Sequence, residues 1–357
     1  MDRSDGGGIP AAALIEWFRQ NARDLPWRQN RDPYRVWLSE IMLQQTRVEA
    51  VTGYYARFLA ALPTVEDLAA ADDDVLNKLW QGLGYYSRAR NLKKAAGVIV
   101  SRYGGRFPET YEEILALPGV GPYTAGAVGS ICFDLPCPAV DGNVLRVYAR
   151  FTGYDKPVNT DEAKKEIADA LRPLYTPGQC GALTQSLMEL GACVCLPNGA
   201  PKCDICPLRE GCAARKSGTW QRYPIKTEKK ARRTADMLAL LLKCGDRFAL
   251  RRRPDTGLLA GLWEFPNTAL KNPEKALEEA AAFAAALGAK PAELLRQTGY
   301  THVFTHVQWH VQAFAFACEA MPGDLVWATA EELKRIYAIP SAFRPIADTA
   351  AEIGCGI

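Results

Sequence analysis

No run of alternating apolar and polar residues precedes about residue 235, while the segments before it carry helix punctuation. That asymmetry constrains the fold more than any other feature. A helical region followed by mixed strands and helices does not share one layered core, so the chain divides in two. Asp32-Pro33 pairs an N-cap with a first-turn proline and predicts a helix through about Val51. Thr64 caps the next, with Glu66 and Asp67 in its first turn. Asp72 to Leu79 continues the helical pattern until Gly82 and Gly84, and Arg88 to Tyr103 ends at Gly104-Gly105. Lys216 to Thr234 then carries seven basic residues and one acidic one with little periodicity. It reads as a solvated linker, with contact to a polyanion as the sharper alternative. Beyond it, Met237–Leu242 and Phe248–Leu250 flank a hairpin signal at Cys244-Gly245-Asp246-Arg247. Ala276–Leu287 reads as a helix. The expected domains are 1–216, a linker at 217–234, and an α+β domain at 235–357.

The 357 residues are 48% apolar and 23% charged, which excludes a disordered or fibrous chain. No stretch approaches the roughly 20 apolar residues of a membrane span. The start, MDRSDGGGIPAAALIEWF, lacks the basic and apolar regions of a signal peptide, so a cytosolic, soluble protein is expected, and with no heptad or symmetric apolar face, a monomer. Net charge is only +3, from 43 Lys+Arg and 40 Asp+Glu. Any nucleic-acid surface must therefore be local.

Five of the eleven cysteines, Cys193, Cys195, Cys203, Cys206 and Cys212, fall within 20 residues. The others, Cys132, Cys137, Cys180, Cys244, Cys318 and Cys355, are scattered as single thiols usually are. In a reducing compartment such a cluster reads as a metal site. Four thiolates suit zinc or an iron–sulfur cubane. Structural zinc sites more often show two separated Cys-x2-Cys pairs, whereas this loop holds one.

Two further motifs lie upstream. Leu117-Pro118-Gly119-Val120-Gly121, followed by Pro122-Tyr123-Thr124-Ala125-Gly126-Ala127, is a glycine-bounded turn entering a helix of small residues. Glycines let backbone approach a phosphate, and a helix start presents free N–H groups. About twenty residues later, Ala139-Val140-Asp141-Gly142-Asn143-Val144-Leu145-Arg146-Val147 places an Asp at an N-cap.

With the cysteine cluster, these elements resemble the helix-hairpin-helix DNA glycosylases related to endonuclease III. Within them, the chain resembles most the adenine DNA glycosylases, the MutY family. Trp37-Leu38-Ser39-Glu40-Ile41-Met42-Leu43-Gln44-Gln45-Thr46-Arg47-Val48 is similar to that family's catalytic-acid helix, and Gly82-Leu83-Gly84-Tyr85-Tyr86-Ser87-Arg88-Ala89-Arg90-Asn91 is similarly close. The resemblance implies a mostly α glycosylase domain with an iron–sulfur loop at 193–212 and a Nudix-like α+β second domain.

It also implies roles. Removing adenine requires a proton on the base and an anion beside the sugar cation, hence two carboxyls in opposite protonation states. Glu40, in apolar company with Val36, Trp37, Leu43 and Gln44, is the candidate acid; desolvation there raises its pKa. Asp141, at a helix start, is expected to stay ionised, either stabilising the cation or trapping it covalently. Bifunctional relatives place a nucleophilic lysine where this chain has Tyr123, so a monofunctional enzyme is implied, with Tyr123 and Asn143 in support. Gln45 and Tyr85 match positions that wedge beside the lesion base. Gly119, Val120 and Gly121, with Arg28, Arg47, Arg88 and Arg90, are candidate contacts to duplex DNA.

Relatives hold a [4Fe–4S] cluster on Cys-x6-Cys-x2-Cys-x5-Cys. Here the spacing is Cys195-x7-Cys203-x2-Cys206-x5-Cys212, one residue longer in the first gap, where Pro197-Asn198-Gly199 could form a turn; Cys193 is the alternative first ligand. Lys202 and Arg209 lie within the loop, where phosphates could be met. His302, His306 and His310 are spaced by four, but their β-branched and aromatic neighbours favour strand–turn–strand over a metal-binding helix face. Phe304-Thr305-His306 is similar to the family's Phe-Ser-His loop for 8-oxoguanine opposite adenine. The implied partner is duplex DNA with A:8-oxoguanine or A:G mispairs. Gly257–Pro266 fits a Nudix glycine-aromatic segment. Glu278-Glu279 occur without the magnesium-binding pattern of Nudix hydrolases, so no pyrophosphatase activity is expected.

Overall fold

The computed structural model describes residues 8–228 and 231–354. Met1 to Gly7 of the N-terminal segment, Lys229-Lys230 of the basic stretch, and Cys355 lie outside the described residues. The chain separates into two compact units: residues up to Ala70 with Arg90–Glu228, and Ala71–Ala89 with the chain beyond Glu228.

The first unit is helical. Its Cys180–Cys193 helix buries Leu183, Leu187 and Leu190, spaced by four and three. They pack with Leu14 and Ile15 of the Ala11–Asn21 helix and with Val144 and Val147 of the Gly142–Thr152 helix. Each buried leucine contributes about 1.5–3 kcal/mol. The Pro122–Phe133 helix is buried on every side from Thr124 to Ile131, which its run of small residues permits. It packs on Val36 of the Pro33–Leu43 helix.

That last helix ends at Leu43, and a new one starts at Val48 and runs to Ala61, so the single helix predicted through Val51 is interrupted. Gln45 sits in the break with φ of 60°, and the Gln44 side chain reaches Thr124 Oγ1 at 3.4 Å. A tertiary contact, with no glycine or proline to announce it, accompanies the break.

The stretch read as a linker is held against the first unit as far as Thr227. Tyr223 packs on the helical core, Val158 N–H donates to the Ile225 carbonyl (2.9 Å), and Thr227 N–H donates to Asn159 (2.9 Å). Its aromatic and branched residues give it anchors that its charge obscures.

The second unit is built on a mixed sheet of β1 (Arg233–Cys244), β2 (Arg247–Arg252), β3 (Trp263–Glu264), β4 (Asn267–Ala269), β5 (Pro291–Val303), β6 (Val307–Cys318) and β7 (Val326–Thr329). The order is β3-β2-β1-β6-β5, with β4 on β1 and β7 on β2. β1 runs parallel to β6, and β5–β6 is the antiparallel hairpin expected around Phe304-Thr305-His306. β1 is apolar on both faces. Leu238, Leu240 and Leu242 pack on the Ala276–Ala286 helix through Ala276, Ala280 and Ala284. Ala239 and Leu241 face Ile346 and Ala350 of the Arg344–Gly354 helix. Among the described residues, no helix is long and apolar enough to cross a membrane.

Candidate active site

Asp32 begins the Pro33–Leu43 helix, accepting from the N–H groups of Tyr34 (2.9 Å) and Arg35 (3.4 Å). Two turns later the helix carries Glu40, only 6% exposed, beside buried Val36 and Trp37. The Pro122–Phe133 helix starts directly after the Gly119-Val120-Gly121 turn and presents Tyr123, whose hydroxyl donates to Glu40 Oε2. Gly119 has φ of +74°, and a Cβ there would lie 2.5 Å from the Asn91 Cβ, so the turn admits only glycine at this point.

Asp141 caps the Gly142–Thr152 helix, accepting from Val144 N–H (2.8 Å) and Asn143 Nδ2 (2.7 Å). Asn143 Oδ1 in turn accepts from Arg146 Nη2 at 2.9 Å. Glu40, Tyr123, Asp141 and Asn143 all line one cleft of about 1180 Å³. Arg28 and Gln45 line it too.

Burial pushes the Glu40 carboxyl up to about 7; the Asp141 charge adds to this, while the Tyr123 hydrogen bond and the Arg28 charge oppose it. Asp141 is also raised above the usual carboxylate range. Burial outweighs the hydrogen bonds from Val144 and Asn143, so the helix start does not hold it as low as the sequence suggests. Tyr123 is raised well above an ordinary phenol, first by burial and then by the two carboxyls, and stays a proton donor. Tyr123→Phe removes a hydrogen bond that favours the Glu40 anion, so the Glu40 carboxyl titrates at higher pH. The alkaline limb of a single-turnover activity profile is then expected to move up in pH. An unmoved limb, or one moved down, would separate Tyr123 from that proton.

Two participants escaped sequence reasoning. Glu189, fully buried on the Cys180–Cys193 helix, receives Arg23 Nε (2.8 Å) and Arg28 Nη2 (2.8 Å). Although burial opposes the anion, bonds from Arg23 and Arg28 draw its pKa down to about 2. Arg28 is thus anchored at the cleft wall by Glu189. Arg146, 7% exposed, donates to the carbonyls of Gly191 (2.6 Å) and Cys195 (2.7 Å) as well as to Asn143. A glutamate on the leucine face of one helix, and an arginine on the valine face of another, were the available signals.

The remaining candidates are placed as follows. Arg47 is exposed just before Val48. Arg88 is buried in the second unit; its Nη2 donates to the carbonyls of Leu83 (3.1 Å) and Gly84 (3.2 Å), bracing the turn that carries Tyr85. These bonds direct Nη2 inward, onto its own turn. Tyr85 itself is exposed, with φ of 46°. Gln45 and Tyr85 both adopt the left-handed conformation that costs an ordinary residue roughly 1–2 kcal/mol.

Cys195, Cys203, Cys206 and Cys212 line one pocket of about 30 Å³, together with Arg150, Lys202 and Arg209; Cys193 is not among its walls. Arg150 Nη1 lies 3.4 Å from Cys195 Sγ and donates to the Leu196 carbonyl at 2.9 Å. The extra residue in the first gap loops into solvent through Pro197-Asn198-Gly199, Gly199 taking φ of +77°. Among the described residues, no three His, Cys, Asp or Glu side chains stand close enough to hold a single metal ion. Four thiols around one pocket, without a nitrogen or carboxylate donor, fit a thiolate-bound cluster.

In the second unit, Phe304 stacks edge-on between His302 (4.6 Å) and Trp309 (4.8 Å), while Thr305 and His306 are exposed at the β5–β6 turn. His310 faces Asp236 (3.4 Å) and Gln308 (2.9 Å). The Glu279 carboxylate accepts from the N–H groups of Lys271 (3.1 Å) and Asn272 (2.8 Å), which engages it in a loop.

A helical unit with a buried acid, a capped aspartate and a glycine hairpin, followed by a Nudix-like unit, defines a two-domain base-excision glycosylase. Residues 38–173 match the HhH-GPD superfamily base excision DNA repair protein family, and 237–349 match the NUDIX domain. The adenine DNA glycosylase of Rattus norvegicus is 34% identical over 93% of this chain and 76% of its own length. That of Homo sapiens is 34% identical over 90% and 70%, and that of Buchnera aphidicola (from Acyrthosiphon pisum) 35% over 74% and 75%. Among solved structures, a thermostable thymine-DNA glycosylase is similar with a TM-score of 0.53 and 31% identity, covering 58% of this chain and 95% of that one. A non-covalent endonuclease III–DNA complex gives 0.50 and 25%, with the same coverage. The chain belongs to the adenine DNA glycosylase family. It is a DNA N-glycosylase of base excision repair.

Proposed function

We propose that this enzyme releases adenine from duplex DNA where adenine faces 8-oxoguanine or guanine, and that it leaves the strand uncut. The observation that carries the reading is the Glu40 carboxyl, buried, raised to about 7 and hydrogen-bonded by Tyr123, in the same cleft as Asp141. Glu40 gives its proton to the flipped base, most simply at N7, and the C–N bond breaks as adenine leaves neutral. Asp141 supports the positive charge that develops on the sugar, and Asn143 fixes the orientation of its carboxylate. Water adds to the sugar carbon and gives up a proton to the Glu40 carboxylate, which restores the acid.

Gly119, Val120 and Gly121 offer backbone to phosphate, with Arg28 and Arg47 adding charge. Gln45 and Tyr85 each wedge beside the lesion base, as their match to the family's positions implies. Phe304, Thr305 and His306 read the opposite base. Cys195, Cys203, Cys206 and Cys212 would hold a [4Fe–4S] cluster, whose iron–thiolate bonds would fasten the loop bearing Lys202 and Arg209. The enzyme acts as a monomer in the cytoplasm, at the nucleoid in a bacterium.

A lyase reading needs an amine nucleophile. Lys164 and Lys165 do line the cleft, although the Lys164 ammonium is bonded to Asp161 at 2.8 Å. End-labelled duplexes carrying A:8-oxoguanine, A:G or A:T, followed in single turnover, decide the matter. Breaks on the first two only after alkali are the expected result. Breaks without alkali, together with a borohydride-trapped adduct, would make it a lyase. Lesion binding without any release would make it a non-catalytic reader.

A further inference from the structure

Residues 71–89 come from the helical part of the sequence yet pack within the second unit. The Asp73–Trp80 helix carries Asp74 and Lys78 four apart on one face, and the turn after it carries Gln81 and Tyr85. Each finds a partner in the Nudix-like fold. Trp263 Nε1 donates to Asp74 Oδ1 at 2.9 Å. Lys78 Nζ donates to the carbonyls of Lys334 (2.6 Å) and Tyr337 (3.0 Å). Gln81 Nε2 donates to the Ile339 carbonyl at 2.9 Å, and the Tyr85 hydroxyl shares a hydrogen bond with Thr305 Oγ1 at 3.0 Å. These four contacts form a continuous polar seam.

We propose that Lys78 and Gln81 are positioning residues for discrimination of the base opposite adenine: the seam sets Tyr85 against Thr305 before DNA arrives. The physical need is plain. Gly82 and Gly84 take φ of 102° and 72°, and Tyr85 is itself in a left-handed conformation. Arg88 braces this turn from within through the Leu83 and Gly84 carbonyls, so the direction in which Tyr85 is presented is set by how the stem of the turn is fixed. Lys78 and Gln81 fix that stem on backbone carbonyls at the end of the Ala330–Arg335 helix and in the loop after it, acceptors that do not depend on which side chains stand there. An ammonium on two carbonyls is a charge-assisted contact and the strongest tie in the seam. Loss of the seam leaves the chemistry of release in place but lets Tyr85 and Thr305 drift apart, which weakens recognition of 8-oxoguanine.

This inference rests on the reading of Phe304-Thr305-His306 as the recognition loop. The test compares Lys78→Met, Lys78→Arg, Gln81→Leu and His306→Ala with the wild-type enzyme on A:8-oxoguanine and A:G duplexes. For each, the saturated single-turnover rate and the half-saturating protein concentration are measured, with a thermal melt alongside. Lys78→Met is expected to raise the half-saturating concentration for A:8-oxoguanine by about tenfold relative to A:G, with the saturated rate changed less than about twofold. Lys78→Arg restores the preference, and Gln81→Leu gives a smaller loss in the same direction. If His306→Ala shifts the preference while Lys78→Met and Gln81→Leu leave it unchanged, the seam does not position the loop and the proposal fails. If His306→Ala leaves the preference intact, the recognition-loop reading fails and takes the proposal with it. Equal losses on both duplexes in every seam variant, tracking a lower melting temperature, would assign the seam to stability and also overturn it.

Discussion

Glu40→Gln is expected to slow adenine release by about 10²–10⁴-fold, the usual worth of a general acid. It should leave duplex binding nearly intact and make the protein more stable at neutral pH. The two outcomes share one cause. A carboxyl at about 7 in the native state, against an ordinary 4.5, retains its proton where the unfolded chain has lost it. Its favourable contribution is therefore complete below pH 4.5 and falls away as pH rises to about 7. The total change is about 3 kcal/mol at 1.36 kcal/mol per pH unit. Glutamine has no such titration, so the stability difference between variant and wild type should widen from pH 5 to pH 8 and then level. Wild-type release, requiring the protonated form, should decline above about pH 7. Single-turnover rates and denaturant melts across that range check both limbs. Retained turnover in the variant, or a stability difference independent of pH, would remove Glu40 from the role of acid.

Arg146→Met is the second large effect. The guanidinium is buried and donates to four groups: Asn143 Oδ1 and the carbonyls of Gly142, Gly191 and Cys195. A methionine fills much of the volume but leaves these acceptors dry, at about 1–3 kcal/mol each. The helix contact beside them has no slack, since a Cβ on Gly191 would lie 2.5 Å from the Asn143 Cβ. Asn143 loses the partner that fixes its amide, and with it the orientation of the Asp141 carboxylate. A fall of about 3–5 kcal/mol in stability is expected, as for breaking a buried charged network. Release at 20 °C, normalised to titrated active sites, should drop by about 10–100-fold, since the misdirected carboxylate is the group proposed to support transition-state charge. Unaltered melts with an unaltered rate would show that Asn143 and Asp141 are held by other means.

Much of this was legible in the residues themselves. Asp32-Pro33, Asp141 and the Gly119–Gly121 turn are local chemistry, in which a cap or a positive φ is decided by adjacent residues. The β5–β6 hairpin was likewise announced by β-branched and aromatic residues around Thr305. The interruption at residues 44–47 was not, because its contact to Thr124 comes from 80 residues away. Glu189 and Arg146 looked like isolated charges on apolar helix faces. Only the fold shows that Glu189 gathers Arg23 and Arg28, and that Arg146 ties a capped helix to the cysteine loop. The parallel pairing of β1 with β6 was equally hidden, since hydrophobic alternation gives each strand its face but not its neighbour. Tyr85 and Gln45 carry no sequence mark of their left-handed backbones.

The seam also has a meaning for synthesis. Lys78 leaves the ribosome 256 residues before the Lys334 carbonyl that it bonds, and Gln81 258 residues before that of Ile339. Through most of translation, the Asp73–Trp80 helix has no partner for this polar edge. Contacts of such sequence separation form late and slowly. The last steps of folding are thus those that bring residues 71–89 onto the C-terminal fold. A nascent or truncated chain that stops before residue 334 still carries every residue proposed for adenine release, but lacks the carbonyls on which Lys78 and Gln81 close.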